Sequence, residues 1–171
     1  MACRQAGLTR NPSRSGGHPM KFSTRKDIAA SPAAAFAVIS DFDTIADQAR
    51  AQGATVERLD AATTPATGHW KIGFDFRGKR RVSESRITTY DPPQQLALRS
   101  RIEGLVVLLN IEILEVAPDK SRLFYVVELK PETMRAGLVV QSMKLARGTI
   151  EKRFEKRIGK LTARIESQAR A

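Results

Sequence analysis

The C-terminal segment carries a single apolar stripe with the period of an α-helix, and this feature limits the possible folds most strongly. From about Ala136, apolar residues recur every three or four positions as far as Ile165, which places them on one side of a long helix. The stripe consists of Val139, Met143, Ala146, Ile150, Phe154, Ile158, Leu161 and Ile165. A helix of this kind needs a sheet face to cover its apolar side.

The upstream sequence predicts seven strands that can form such a sheet. The clearest is His69–Arg77, where Trp70, Ile72, Phe74 and Phe76 alternate with polar residues. The other predicted strands are Lys21–Ala29, Thr55–Asp60, Arg80–Tyr90, Gln95–Ile102, Leu105–Val116 and Arg122–Lys130. Short turn sequences, such as Asp91-Pro92-Pro93 and Glu103-Gly104, separate the later strands. This arrangement indicates hairpins in mainly sequential order.

Two short helices are expected directly after the first strand. Ser31-Pro32 is a strong helix start, because the serine side chain can accept from a free backbone N–H and proline loses no bond there. Asp41 or Asp43 can cap a second helix that runs to about Gln52. Helices at both ends and strands between them predict an α+β domain with an antiparallel sheet curved around the C-terminal helix.

The positive charge of the chain is concentrated at its two ends. The 171 residues carry a formal net charge of +11, but residues 20–130 hold 16 basic and 14 acidic side chains. Residues 1–19 hold three arginines and no acid, and residues 131–171 hold ten basic and four acidic side chains. Aromatic residues make up only 6%, so nucleic acid is not favoured as a partner. The basic residues form either a solvated face or, as the alternative, a contact for an anionic membrane surface or an acidic protein.

Composition excludes several classes of site. One cysteine and two histidines leave no disulfide framework and no cysteine-based or histidine-rich metal site, and we predict neither a metal nor another cofactor. No Ser/His/Asp arrangement or glycine-rich phosphate loop is present. The longest apolar run, residues 105–109, is far shorter than the roughly 20 residues that span a bilayer. Without a secretory signal pattern, the chain is expected to be cytoplasmic.

Residues 1–19 differ in composition from the rest of the chain. They are rich in arginine, serine, glycine and proline and have no hydrophobic period. Such a segment buries too little apolar area to offset its ordering entropy. We predict a disordered extension over residues 1–19, followed by one domain over residues 20–168.

At this point the chain resembles the START-like, or Bet v 1-like, superfamily, also called the SRPBCC or polyketide cyclase/lipid-transport group. The resemblance rests on Lys21–Asp43, on Ile87–Leu98, on the closing strand pair and on the C-terminal helix. It implies a helix-grip fold, in which seven antiparallel strands grip the long helix and two small helices close one end. It also implies an apolar cavity between sheet and helix, where relatives bind lipids, quinones or polyketides and a minority catalyse cyclisation or dehydration.

The candidate site residues are those expected to line this cavity. Trp70, Ile72, Phe74 and Phe76 form either ordinary core or a cavity wall. Val127, Leu129, Val139, Met143 and Ile150 are expected to complete the same interior. Glu84, Arg86 and Glu112 are the candidates for polar groups inside the cavity, the alternative being that they face solvent.

Three functions remain open on the sequence alone. The first is a non-enzymatic carrier of a small hydrophobic ligand, and the second is a cyclase or dehydratase that uses Glu84, Arg86 or Glu112 in the same cavity. The third is an interaction module with a filled core. Of these, the carrier is preferred, because no catalytic motif is present.

Overall fold

The seven predicted strands are present and lie close to their expected bounds. The structure, a computed structural model, describes residues 17–61, 64–76 and 78–171. The strands are β1 (Met20–Ile28), β2 (Thr55–Arg58), β3 (His69–Phe76), β4 (Lys79–Asp91), β5 (Gln95–Ile102), β6 (Leu105–Ala117) and β7 (Lys120–Pro131). The helices are α1 (Pro32–Ile39), α2 (Phe42–Ala51), α3 (Met134–Leu145) and α4 (Arg147–Ala169), with a short 3₁₀ turn at Pro65–Thr67.

Side-chain caps fix where α1 and α2 begin. The Ser31 hydroxyl accepts from the Ala34 N–H at 3.3 Å, with Pro32 in the first helical position. Asp41, rather than Asp43, caps α2 by accepting from the Thr44 N–H at 3.1 Å. Hydrogen bonding from the Thr44 side chain is the first cause that lowers the pKa of the Asp41 carboxyl, and the bond from the Thr44 N–H is the second. Such local bonds satisfy backbone donors that the helix itself leaves free.

The strands form one antiparallel sheet in the order β1-β7-β6-β5-β4-β3-β2. Sequential hairpins build most of it, and the first strand then pairs with the last along its whole length, from Met20↔Leu129 to Ile28↔Ser121. The curved sheet wraps the C-terminal helix, so the predicted helix-grip fold is confirmed.

The C-terminal helix is divided into two parts, whereas the sequence predicted one continuous helix. At Ala146 the backbone leaves helical geometry (φ −100°, ψ 17°), and the Ala146 N–H donates to the Met143 carbonyl at 3.0 Å. This bond spans three residues instead of four and tightens the end of α3.

The sheet face that covers α4, here called the inner face, holds the core. One buried cluster joins α1, the C-terminal half of α4 and the sheet, and includes Phe36, Leu123 and Ile165. A second cluster lies under α3 and consists of Met20, Phe22, Leu129 and Val140. Between these two clusters the sheet is less tightly covered.

Two further sequence predictions concern the N-terminal extension and membrane-spanning segments. The extension expected over residues 1–19 lies outside the described residues as far as residue 16. Within the described ranges, no helix combines the length and the hydropathy that crossing a bilayer requires.

Candidate ligand-binding groove

Three rows of directly opposed residues run across β4, β5, β6, β7 and β1 on the inner face. The middle row is apolar throughout: Ile87, Leu98, Leu109, Val127 and Phe22. On one side of it lie Ser85, Ser100, Val107, Leu129 and Met20, and on the other lie Tyr90, Leu96, Ile111, Tyr125 and Thr24. Strand register therefore builds an apolar surface several strands wide.

The centre of this surface is only partly buried. Leu98, Leu109 and Val127 lie in the middle of the sheet, where tight helix packing would bury side chains completely, yet each retains intermediate exposure. The helices opposite show the same property at Met143, Ile150 and Phe154. We call the partly buried apolar surface that these two sets of residues form the groove. Its walls are the kind of apolar surface that binds small molecules.

Serine hydroxyls supply polarity at one side of the groove. Ser83 and Ser85 on β4 are buried, and their hydroxyl oxygens lie 3.3 Å apart. The Ser85 hydroxyl is hydrogen-bonded to that of Ser100 on β5 at 2.7 Å. A hydroxyl pair of this kind can be buried at small cost, because each partner satisfies the other.

Tyr125 supplies a hydroxyl on the opposite side. Its ring packs against Phe154 in an edge-to-face contact with centroids 5.7 Å apart. Burial raises the pKa of the Tyr125 phenol, and the nearby Arg157 opposes that shift only in part. The phenol therefore stays protonated at neutral pH and can donate a hydrogen bond.

An ion pair links the sheet to α4 next to Thr24. The Lys26 ammonium lies 2.8 Å from Glu155 on α4. Hydrogen bonding from Lys26 is the first cause that lowers the pKa of the Glu155 carboxyl, and Thr24 contributes further. The pair is exposed by roughly two fifths, so it positions the helix more than it stabilises the fold.

The structure places the predicted apolar residues of β3 on the inner face. Trp70 is buried and its ring packs on Phe42 with centroids 5.0 Å apart. Ile72 packs against the same cluster, and Phe74 is partly buried. Phe76 shares their face but lies at the end of the hairpin and is 51% exposed. These four residues lie to the side of the groove and not at its centre.

Glu84, Arg86 and Glu112 do not lie in the interior, and this corrects their expected position. In β4 the buried residues are Ser83, Ser85 and Ile87, so the intervening Glu84 and Arg86 face away from α4. Glu84 there contacts the His69 ring at 2.8 Å. Glu112 lies on the same outer face and accepts from the Asn110 amide at 2.7 Å. Charged groups left without partners would be costly to bury, which explains this choice of face.

Other predicted interior residues lie at the groove, with one exception. Val127, Met143 and Ile150 pack against the second cluster, together with its buried member Leu129. Val139 is instead 45% exposed, because α3 is buried through Ala136, Gly137 and Val140. Its expected interior position is therefore corrected.

Sequence reasoning missed Leu98, Leu109, Ser85, Ser100 and the role of Tyr125. Their signal was present in the alternation, since Ser83, Ser85 and Ile87 share one parity in β4. Both faces of that strand contain polar residues, however, so the alternation alone did not indicate that the serines, and not the charged residues, face inward.

A concavity of about 520 Å³ lies outside the groove. It is formed between Pro32 at the start of α1, the β4–β5 turn and the outer end of β6, and carboxylates of Asp91, Glu112 and Glu115 line it. Its lining combines these carboxylates with apolar residues such as Pro93, Leu114 and Phe124.

A curved antiparallel sheet around a C-terminal helix defines a helix-grip protein. The chain belongs to the polyketide cyclase/dehydrase and lipid-transport family, whose sequence model matches residues 19–166. This places it in the START-like, or Bet v 1-like, superfamily. None of the curated proteins searched matches the chain.

Solved structures of similar fold have low sequence identity. An aromatase/cyclase from a Streptomyces species is 15% identical, with a TM-score of 0.68, and the match covers 90% of this chain and 98% of that one. A protein of unknown function from Staphylococcus aureus is 16% identical, with a TM-score of 0.64 and the same coverage of 90% and 98%. A protein from Thermus thermophilus is 14% identical, with a TM-score of 0.58 and coverage of 86% and 98%. At these identities the likeness establishes the fold alone.

Proposed function

We propose that this protein binds and carries a small hydrophobic ligand, such as a lipid, a quinone or a polyketide-like molecule, in the groove. The observation that carries the proposal is the set of partly buried apolar residues facing one another across the groove. Leu109 and Val127 form its floor and Phe154 lies opposite. A ligand there would complete the burial of side chains that the protein alone leaves incompletely covered.

The polar groups at the groove define which ligands fit. In the three rows of the inner face, every polar side chain is a hydroxyl: Ser85, Ser100, Tyr90, Tyr125 and Thr24. Such groups favour a neutral ligand with a carbonyl or hydroxyl oxygen over a charged one. The Glu155 carboxylate bonded to Thr24 is held in the ion pair with Lys26, which favours carriage over acid-base catalysis.

A cyclase or dehydratase acting in the same groove is the second candidate. Tyr125 favours it, because a phenol that remains protonated can donate to a carbonyl oxygen as negative charge develops there. The aromatase/cyclase of similar fold agrees with this alternative in its reaction class. Recovery of the ligand with its mass unchanged after incubation would support carriage, whereas a product of different mass would support the enzyme.

Binding of a neutral fluorescent probe, phenylnaphthylamine, tests the proposal. Val127→Trp fills the middle of the floor, so we expect its probe affinity to fall at least about tenfold relative to wild type. Ser100→Phe fills the floor from β5 and serves as a second variant if Val127→Trp does not fold. Affinity is measured by fluorescence titration, with circular dichroism to check the fold.

Leu114→Trp is the matched control, because Leu114 is 56% exposed on the outer face. It should bind the probe as wild type does. Equal probe affinity in Val127→Trp, Leu114→Trp and wild type would contradict binding in the groove and would favour the interaction module with a filled core.

A further inference from the structure

The three most exposed large hydrophobic side chains of the described chain all lie on α3. Leu145 is 93% exposed, Met134 is 84% exposed and Leu138 is 72% exposed, whereas the next value is 56% at Leu114. Isolated exposed aliphatic residues are common, but several on one short helix mark an interaction surface.

These side chains form one stripe. At 3.6 residues per turn, Met134, Leu138 and Leu145 point within about 40° of one another around the helix axis. The opposite side of α3 is buried through Ala136, Gly137 and Val140. The helix is therefore anchored by one side, while an apolar stripe projects outward from the other.

Positive charge borders the stripe. Arg135 is exposed and Lys144 is partly buried, and neither forms an ion pair with a residue that the structure describes. Arg147 follows at the start of α4, where Glu151 contacts it at 2.7 Å. Aliphatic residues flanked by lysine and arginine are typical of helices that lie in the interface of an anionic bilayer.

We propose that α3 docks on the surface of an anionic lipid bilayer through Met134, Leu138 and Leu145. Charge decides between this occupant and two others. A second copy docked on the stripe would bring its own Arg135 and Lys144 close to Arg135 and Lys144 of the first copy. Residues 1–16, which precede Gly17 beside Gly137, carry Arg4, Arg10 and Arg14 and no acid. Both alternatives would place like charges together, whereas acidic headgroups would neutralise them.

The position of α3 relates this surface to the groove without depending on ligand binding. The inner side of the helix contributes Met143 to the residues that border the groove. The outer stripe would thus hold the groove near the bilayer. Docking is measured with vesicles and protein to which no hydrophobic ligand has been added. A failure to dock is therefore distinguishable from a failure of the carrier proposal.

Co-sedimentation with vesicles tests the inference on the full chain. We expect binding to vesicles of equal parts phosphatidylcholine and phosphatidylglycerol, little binding to phosphatidylcholine alone, and weaker binding as salt is raised. The double variant Leu138→Glu, Leu145→Glu should lower the affinity at least about tenfold. Arg135→Gln with Lys144→Gln should lower it and reduce its salt dependence.

Leu114→Glu is the control for each of the two substitutions, since it adds one glutamate at an exposed leucine away from α3, and it should bind vesicles nearly as wild type does. Equal losses in Leu114→Glu and the α3 double variant would overturn the proposal, as would failure of wild type to bind the anionic vesicles. A dimer in light scattering that the α3 variant dissociates would assign the stripe to a second copy and would also overturn it. Phenylnaphthylamine affinity, measured on the same protein variants without vesicles, should be unchanged by the α3 substitutions.

Discussion

Tyr125 shows how a single residue combines structural and chemical roles. Its ring fills part of the inner face against Phe154, while its hydroxyl is one of the few polar groups beside an apolar surface. Burial favours the neutral phenol, which raises its pKa above the ordinary value of 10.0. The residue can therefore bind a carbonyl oxygen without adding charge to the groove.

Tyr125→Phe should alter the alkaline stability of the protein. With its folded pKa raised, Tyr125 contributes stability below pH 10 that is lost as pH rises toward the folded-state pKa, because the unfolded chain releases the proton first. Over that window the wild-type free energy of unfolding should fall more steeply than that of Tyr125→Phe, by up to about 1.4 kcal/mol per pH unit. Urea unfolding at several pH values measures the difference.

Tyr90→Phe provides the control for this prediction, since Tyr90 and Tyr125 are the two tyrosines of the chain. If Tyr125→Phe and Tyr90→Phe both show the same dependence of unfolding free energy on pH as wild type, burial of Tyr125 does not govern alkaline stability.

At the scale of elements, the two C-terminal helices differ in how their apolar residues are buried. In α4, Ile158 and Ile165 are buried against the rest of the molecule. In α3, the buried residues are instead Ala136, Gly137 and Val140, and larger aliphatic residues project outward. The end of α3 at Ala146 separates a helix that buries large aliphatic residues from one whose largest aliphatic residues are exposed.

Ile165→Ala should destabilise the protein by about 2–5 kcal/mol, because Ile165 has no exposed surface and truncation would leave a cavity among its neighbours. Leu145→Ala removes an almost fully exposed side chain and should change the free energy of unfolding by no more than about 0.5 kcal/mol. Chemical denaturation measures both. Similar losses in the two variants would contradict the assignment of α4, and not α3, as the core helix.

At the scale of the whole molecule, one buried cluster connects distant parts of the chain. It includes Ile28 from β1, Phe36 from α1, Trp70 from β3 and Ile165 from α4. Pairing of the first strand with the last adds a second connection between the two ends of the described chain. The elements around the groove therefore depend on one another to bury their apolar side chains.

We therefore expect a single cooperative unfolding transition. Trp70 is the only tryptophan, and its fluorescence reports on α2 and β3, whereas far-ultraviolet circular dichroism reports on all elements. The two signals should give the same denaturant midpoint. A Trp70 transition at lower denaturant would show that the α2–β3 side of the molecule unfolds separately.

The sequence by itself determined the order of the strands along the chain, their bounds to within two residues and the inward direction of Trp70 and Ile72. These features depend on local signals, namely period-two alternation, helix caps and turn residues. The membership of the superfamily followed because every element appears in its expected order.

Only the tertiary structure decided which polar residues face the groove. In β4 the serines and the charged residues alternate, and either set can satisfy a local pattern; register with β3 and β5 places Ser85 inward and Glu84 outward. The end of α3 at Ala146 likewise has no strong local signal. Exposure of the α3 stripe follows from which side of that helix finds a neighbour, and this depends on packing between distant segments of the chain.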